Sequence, residues 1–257
     1  MSKVISIANQ KGGVGKTTTN VNLSACVAAL GKRVLTIDID PQGNTTSGLG
    51  IDKNKIDCSI YDVLINGIDA RQAIMSTKIE NLDIIPSNIQ LAGAEIEMVP
   101  MIARETILKK AIEPIRDEYD YIFIDCPPSL GLLTINALTA SDKVIVPIQC
   151  EYYALEGLSQ LMSTINIVKK NLNPSLELEG VVLTMFDART NLSIQVVEDV
   201  KKHFRDKVYR TIIPRNVRLG EAPSHGVPIT LYDPKCVGAV AYCELAEEFI
   251  ENDREAI

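Results

Sequence analysis

The sequence lacks the features that would place the protein in a membrane or outside the cell. Its 257 residues contain no apolar run near the roughly 18 residues that a membrane-spanning helix needs. The opening stretch, MSKVISIANQ, has no apolar segment followed by a small-residue cleavage site, so secretion is not expected. We therefore expect a cytoplasmic protein without a membrane partner.

Cysteine and histidine are few and poorly spaced for binding a metal. The six cysteines form no C-x-x-C pair, and His203 and His225 are not spaced with them as zinc ligands. Buried, reduced thiols in a cytosolic protein explain these cysteines most simply.

The composition excludes general disorder. Hydrophobic residues make up 46% of the chain and charged residues 23%, which is ordinary for a globular protein. No linker, repeat or low-complexity segment divides the chain, so we expect a single domain over residues 1–257. The net charge of −7 argues against a protein coated in nucleic acid, although it allows a local basic face.

Apolar strand patterns alternate with helical patterns along the chain. Residues 3–9 are typical of a strand, residues 16–30 of a helix stopped by Gly31, and residues 33–40 of a second strand. Such βαβ units predict an α/β fold with a single doubly wound, mostly parallel sheet flanked by helices. Further strands are predicted at 81–87, 143–149, 178–186 and 210–215, and within YDYIFIDCPPS (119–129) a buried strand runs into a Pro-Pro loop. Further helices are predicted at 101–118 with a break near Pro114, at 154–170 and at 237–252.

The stretch NQKGGVGKTT, residues 9–18, nearly matches the phosphate-binding pattern G-x-x-x-x-G-K-[ST]. Gln10 stands where the pattern has its first glycine, and a second lysine, Lys11, lies just inside the loop. The glycines would let backbone N–H groups turn toward phosphate oxygens at the start of the helix. Lys16 is placed to reach the β- and γ-phosphates, and Thr17 to bind Mg²⁺. The predicted nucleotide contacts here are Gly12, Gly13, Val14, Gly15, Lys16, Thr17 and Thr18.

Carboxylates follow two of the predicted strands. Asp125 ends the apolar strand YIFID, the position of a Walker B aspartate, and we expect it to hold a water on Mg²⁺. Asp38 and Asp40 lie two residues apart on one face of another strand. Asp40 comes where that strand ends, so it is the better candidate to orient an attacking water, while Asp38 is structural or near the metal.

Three of these stretches together resemble one family. KGGVGKTT, DIDPQGN and IDCPPS are similar to the deviant Walker A ATPases of the ParA/Soj type, which partition bacterial chromosomes and plasmids. The later stretches FDARTNLS and IPRNVRLGEAPSHGVPI resemble the chromosomal members, and the resemblance covers essentially the whole chain. It implies a P-loop NTPase fold of the deviant Walker A type, with ATP and Mg²⁺ as cofactors.

The resemblance also implies roles for individual residues. Lys11 would be the signature lysine that reaches the partner subunit's phosphates, which makes an ATP-dependent homodimer; from the residues alone, Lys11 could equally be a solvated loop residue. The catalytic set would be Lys11, Lys16 and Asp40, with Asp125 and Thr17 at the metal. Positions expected near the adenine are Met185, Pro214 and Asn216.

One stretch of this acidic chain is basic. Residues 189–218 contain eight basic and three acidic residues, a net charge of +5, which leaves −12 for the remainder. Basic residues with few interleaved aromatics suit contact with the phosphate backbone rather than base reading, although charge alone also fits a solvated surface. Because ParA/Soj ATPases bind DNA nonspecifically as ATP dimers, the expected DNA contacts are Arg189 and Arg218, supported by Lys201, Lys202, Arg205 and Arg215.

The resulting hypothesis is a slow partition ATPase on nonspecific double-stranded DNA, associated with the nucleoid and stimulated by a ParB-type partner. A MinD-like membrane-cycling ATPase is the alternative, but the end of the chain, CELAEEFIENDREAI, is acidic and should be repelled by anionic lipid. An electron-transfer iron protein would need cluster-ligating cysteines, which SLGLLTINAL lacks. A metabolic ligase or kinase stays open, although no motif marks a small-substrate site.

Overall fold

The computed structural model describes residues 2–151 and 158–255, which form one seven-stranded sheet. Its order is β3-β4-β2-β5-β1-β6-β7, and every described neighbouring pair is parallel except β3 with β4. The mostly parallel α/β fold predicted from the sequence is confirmed. The strands are β1 (Lys3–Ile7), β2 (Val34–Asp38), β3 (Met75–Ser76), β4 (Leu82–Ile85), β5 (Tyr121–Asp125), β6 (Lys143–Gln149) and β7 (Glu177–Thr184).

Helices cover both faces of this sheet. Alternate residues of one strand point to opposite faces, so Ile122 and Ile124 join one buried cluster while Tyr121 and Phe123 join the other. The helices are α1 (Lys16–Ala29), α2 (Asn44–Gly48), α3 (Ile60–Ile65), α4 (Ala70–Ala73), α5 (Leu91–Glu97), α6 (Ile107–Ile112), α7 (Leu132–Ala140), α8 (Leu158–Asn171), α9 (Asn191–Phe204), α10 (Val217–Glu221), α11 (Ile229–Tyr232) and α12 (Val237–Glu255).

The packing of α12 against α1 and the sheet fixes the first helix. Phe249 of α12 packs on Phe123 of β5, with ring centroids 5.6 Å apart. Truncation of such a buried ring to alanine typically costs about 3–5 kcal/mol. The hydroxyls of Tyr242 and Thr19 lie 3.2 Å apart, which ties α12 to α1 within the core. None of the helices in the described residues is long and apolar enough to cross a bilayer.

The strand predicted at 210–215 is wrong. This stretch forms only an isolated bridge, between Pro214 and Phe186, and it contains no named strand. Pro214 has no N–H to donate to a ladder, so the stretch runs beside β7 without extending the sheet.

Two predicted helices differ from the structure in their bounds. The helix predicted at 101–118 is interrupted: α6 ends at Ile112, and a 3₁₀ segment covers Glu113–Glu118 with Pro114 in its first turn. The helix predicted at 154–170 begins in residues outside those described, and its described part is α8.

The carboxyl ends of three adjacent strands meet at one edge of the sheet. Asp125 of β5 pairs in register with Ile7 of β1 on one side and with Asp38 of β2 on the other. Ligands of open α/β sheets bind at this edge. The loop after β1 and the carboxylates after β2 and β5 are therefore brought together by the topology.

Candidate nucleotide-binding site

The loop between β1 and α1 has a left-handed backbone at two of its glycines. Gly13 has a φ of 73° and Gly15, which caps α1, a φ of 90°. A Cβ would be strained at either position. Gln10 is not among the residues with a positive φ, so the missing first glycine of the motif is not required by the backbone here. Val14 anchors the loop, because its carbonyl accepts a 2.8 Å hydrogen bond from Thr184 of β7.

The two lysines of the loop have different surroundings. Lys16 is buried, and its ammonium donates a 3.1 Å hydrogen bond to the carbonyl of Lys11. Burial lowers the pKa of Lys16, while the charges of Asp125, Cys126 and Asp40 oppose that shift. The ammonium of Lys11 makes no hydrogen bond or ion pair with any residue that the structure describes. One lysine is thus held inside the loop, and the other is free to reach outward.

Asp125 lies at the centre of a hydroxyl cluster. Its Oδ2 accepts 2.8 Å hydrogen bonds from Thr17 of α1 and from Thr45 of α2. Its other oxygen, Oδ1, is buried and has no partner in the described part of the chain. Burial, followed by the charge of Asp38, raises the pKa of Asp125 to about 8. A buried carboxylate with one unpaired oxygen, next to the threonine hydroxyls, fits a hydrated Mg²⁺ ion, which takes oxygen ligands and keeps several waters.

Asp38 and Asp40 have separate environments. Asp38 is fully buried. Its Oδ2 accepts hydrogen bonds from the N–H and the hydroxyl of Thr46, at 2.8 and 2.7 Å. Its Oδ1 accepts a hydrogen bond from the N–H of Asp40 at 3.1 Å. Asp40 follows β2 instead of ending it, and its carbonyl accepts from Ser87 at 2.8 Å. Asp38 therefore holds the loop in place, while Asp40 lies at the cavity described next.

Two adjoining cavities meet at the loop. The first, of about 490 Å³, is lined by loop residues together with Asp40 and Pro128. The second, of about 310 Å³, is mostly apolar and holds Pro214 and Asn216. Gly15, Thr18 and Met185 line both cavities. The loop residues of the first cavity are Gly12, Gly13, Gly15, Lys16, Thr17 and Thr18.

The second cavity is mostly apolar and has a fixed polar group in its wall. Met185 adopts a φ of 53°, an uncommon conformation for a side chain of this size. Asn216 caps α10, with its Oδ1 accepting from the N–H of Arg218 at 2.8 Å, so its amide is fixed at the cavity wall. A mostly apolar slot with few fixed polar groups is typical of small-molecule sites.

Sequence reasoning missed several residues of this site. Thr45 contacts Asp125 from a helix 80 positions earlier, and Tyr242 lines the second cavity from α12. Pro128 lies beside Gly12, where an added Cβ would come within 4.0 Å of the proline ring. The proline had a local signal, since it comes three residues after the strand that ends at Asp125, whereas Thr45 and Tyr242 are placed by tertiary packing alone.

The basic residues predicted to bind DNA fall into separate groups. Arg189 forms a two-pronged ion pair with Asp187, whose pKa is held at about 2 mainly by that hydrogen bonding. Arg215 pairs with Glu151. Arg218 forms ion pairs with Glu221 and Asp233. The remaining three basic residues lie at the end of α9 and just after it, namely Lys201, Lys202 and Arg205.

The site has the parts of a P-loop nucleotide-binding protein. These are a glycine-rich loop on a helix N-terminus, a buried lysine, and a carboxylate–hydroxyl cluster at the edge of a parallel sheet. A family model described as AAA domain matches residues 2–178. The chain is 66% identical over 252 residues to the sporulation initiation inhibitor protein Soj of Bacillus subtilis, covering 98% of this chain and all of that protein. It is 54% identical to the chromosome partitioning protein ParA of Caulobacter vibrioides, covering 98% of this chain and 96% of the relative.

Solved structures share the fold. A structure described as cobyrinic acid a,c-diamide synthase from Mycobacterium smegmatis, with bound ADP and magnesium, has a TM-score of 0.88 and 38% identity over 100% of this chain and 97% of that one. The higher identities are those to the partition proteins. The chain belongs to the ParA/Soj family of partition ATPases.

Proposed function

We propose that this protein is an ATP-dependent dimerising ATPase that binds DNA nonspecifically and drives chromosome or plasmid partition. The observation that carries the nucleotide part is the unpaired, buried Oδ1 of Asp125 beside the hydroxyl of Thr17, at the foot of the glycine loop. Membership of the ParA/Soj family supports the partition part. We also assign residues 1–257 to a single domain.

The loop and the carboxylate would hold ATP and Mg²⁺ together. Backbone N–H groups from Gly12 to Thr18 would bind the phosphates, and Lys16 would exchange its bond to the Lys11 carbonyl for the β- and γ-phosphates. Thr17 would bind the ion directly, and Asp125 through a water. A bound Mg²⁺ supplies charge that stabilises the phosphoryl group during transfer.

Asp40 would orient the water that attacks the γ-phosphate. Its carboxylate borders the phosphate cavity, and the hydrogen bonds to Asp38 and Ser87 fix its backbone. An attacking water needs such positioning because phosphoryl transfer depends mostly on alignment and charge. The adenine would occupy the neighbouring cavity, against Met185, Pro214 and Asn216.

Lys11 would complete the site of a second subunit. Its ammonium is unpaired in the described part of the chain, and a positive charge delivered in trans would stabilise the transferring phosphoryl group. The nucleotide would then lie between two subunits, so the homodimer would form with ATP and separate after hydrolysis.

Dimerisation would couple ATP to DNA. Two copies present twice the basic surface of residues 189–218, and weak contacts to phosphates add through avidity. Hydrolysis would be slow until a ParB-type partner stimulates it. In this family such partners use a short basic segment, which the −12 charge outside residues 189–218 would attract. The protein would accordingly reside on the nucleoid in the cytoplasm.

The proposal is tested by sizing the protein and measuring its DNA binding with ATP, with ADP and without nucleotide. We expect a DNA-bound dimer with ATP only, and a longer-lived one for Asp40→Ala, because hydrolysis no longer resets it. Lys11→Ala should bind ATP as a monomer, whereas Lys55→Ala, at an exposed lysine far along the chain, should behave as wild type. A Lys11→Ala protein that dimerises normally would refute the in-trans role, and an ATP-insensitive monomer that never binds DNA would refute the whole proposal.

The MinD-like alternative gains no support from the end of the chain. The apolar residues of α12, including Tyr242, Leu245 and Phe249, are buried against the core and are not available to a lipid surface. Co-sedimentation with anionic vesicles separates the two functions, and we expect the protein to stay in the supernatant with ATP.

A further inference from the structure

Four large aliphatic side chains in and beside the helix that follows β4 are exposed. Ile89, Ile96, Val99 and Ile102 are all exposed, with exposed fractions of 77%, 76%, 57% and 97%. We name these four residues the α5 patch. Four large aliphatic side chains within fourteen residues of a protein surface typically mark an interaction site.

Helix α5 is apolar on two opposite sides. Leu91, Ala94 and Met98 recur at helical spacing and are fully buried in the core. Ile96 lies on the other side of the helix, where the core does not need an apolar residue. The second apolar side therefore has no role in packing this subunit.

The segment that carries the α5 patch is acidic. Residues 88–103 contain no lysine or arginine and two acids, Glu95 and Glu97. Arg104, which follows, donates a 2.6 Å hydrogen bond to the carbonyl of Val99, and its charge is already paired with Glu105. If two copies met symmetrically through this patch, Glu97 would face acids of the second copy, which disfavours self-association. A segment with aliphatic and basic side chains complements the patch.

A chain of contacts leads from α5 to the phosphate loop. The carboxylate of Glu95 accepts a 3.2 Å hydrogen bond from the N–H of Leu133, in the first turn of α7. A Cβ at Gly131 would collide with the same carboxylate. The loop that Gly131 ends also carries Pro128, which lies beside Gly12 of the phosphate loop.

We propose that the α5 patch is the docking surface for a partner segment with aliphatic and basic side chains, and that docking reaches the phosphate loop through Glu95 and the loop before α7. The inference rests on the proposed function, because it names where the stimulating ParB-type partner binds. It adds a location and a route that family membership does not give.

The test uses the full-length ParB-type protein of the same organism as the probe. Its half-saturating concentration for ATPase stimulation is measured with wild type, Ile96→Asp and Ile102→Asp. Both side chains are largely exposed, so the variants should fold and keep basal ATPase activity and ATP-dependent dimerisation. We expect the half-saturating concentration to rise by about tenfold or more, because a carboxylate would be buried against aliphatic side chains. Ile167→Asp, at an exposed position of α8, is the matched control and should respond as wild type.

Charge reversal tests the chemistry of the partner segment. Glu97→Lys should weaken stimulation, and the loss should shrink as salt is added. Unchanged half-saturation in Ile96→Asp, Ile102→Asp and Glu97→Lys would overturn the docking surface while leaving the partition function intact. Loss of ATP-dependent dimerisation in Ile96→Asp would instead assign the patch to a second copy and also overturn it. If the partner fails to stimulate wild type while ATP-dependent DNA binding persists, the inference and the partner clause of the proposed function both fall.

Discussion

At the scale of single residues, the carboxylate of Asp125, which we propose faces Mg²⁺, is held by a threonine that no motif contains. Thr45 donates to Asp125 Oδ2 and accepts from Asn20 at 3.2 Å, all within the buried interior. The hydroxyls of Thr45 and Thr17 both bond to Oδ2, which leaves Oδ1 for a ligand. Groups that orient a metal-side carboxylate in this way tune its affinity for the ion.

Replacement of Thr45 by valine should weaken the response to Mg²⁺. Thr45→Val keeps the shape but removes one donor to Asp125, and we expect the Mg²⁺ concentration for half-maximal ATP binding to rise by about tenfold. Titration of Mg²⁺ against a fluorescent ATP analogue measures this. Thr139→Val is the control, because that buried hydroxyl bonds only to the Ile135 carbonyl within α7. Superimposable titrations for Thr45→Val and wild type would show that the contact is not needed.

At the scale of elements, α9 and the turn after it carry the basic residues with the fewest ion pairs. Of the six predicted DNA contacts, Lys201 and Arg205 make no side-chain ion pair in the described part of the chain. Arg189 would have to exchange its bond to Asp187 for a phosphate. Exposed ion pairs contribute little to stability, so that exchange costs little but gains less than a new contact.

Reversal of the two unpaired charges should therefore reduce DNA binding most. For Lys201→Glu with Arg205→Glu, we expect weaker ATP-dependent binding to DNA of any sequence. The dimer loses two phosphate contacts from each subunit, so a plot of log affinity against log salt should be flatter by about 4. Lys109→Glu with Lys110→Glu, on exposed positions of α6, is the matched control. An unchanged salt slope in the α9 variant would place the DNA elsewhere.

At the scale of the whole molecule, a carboxylate in the interior makes folding sensitive to pH. Asp38 is fully buried, and burial raises its pKa to about 6 from an ordinary 3.8, against the hydrogen bonds from Thr46 and Asp40. The folded form thus keeps a proton over a pH range in which the unfolded chain has lost it. Asp125, with its pKa raised to about 8, acts in the same direction.

The nucleotide-free protein should gain stability as the pH falls from 7 toward 4. The pKa of Asp38 is higher in the folded protein than in the unfolded chain. Its contribution to the free energy of unfolding is therefore fully present below about pH 4 and is lost as the pH rises through 6. The free energy of unfolding of wild type relative to Asp38→Asn should shift by about 3 kcal/mol across this range. Denaturant titrations at several pH values measure it, with the exposed Asp117→Asn as control. A parallel pH dependence in wild type and Asp38→Asn would contradict the prediction.

The sequence by itself determined the local parts of this protein. Some signals depend only on neighbouring residues, namely the glycines, the GKT ending and the apolar runs of strand length. From these signals the phosphate loop, the parallel sheet and the break near Pro114 could all be predicted. The replacement of the first motif glycine by Gln10 was also visible in the sequence. Only the structure shows that the backbone at Gln10 does not need a glycine, because its φ is not positive.

Only the tertiary structure decided which distant residues meet. Three contacts connect parts of the chain that no local sequence pattern relates. They are the hydrogen bond from Thr45 to Asp125, the position of Tyr242 at the second cavity, and the hydrogen bond of Glu95 at the start of α7. The stretch 210–215 has the composition of a strand, yet it remains outside the sheet because its partners are set by packing beside β7. Contacts of this kind depend on how helices pack over the sheet, and a single sequence read by local pattern does not contain that information.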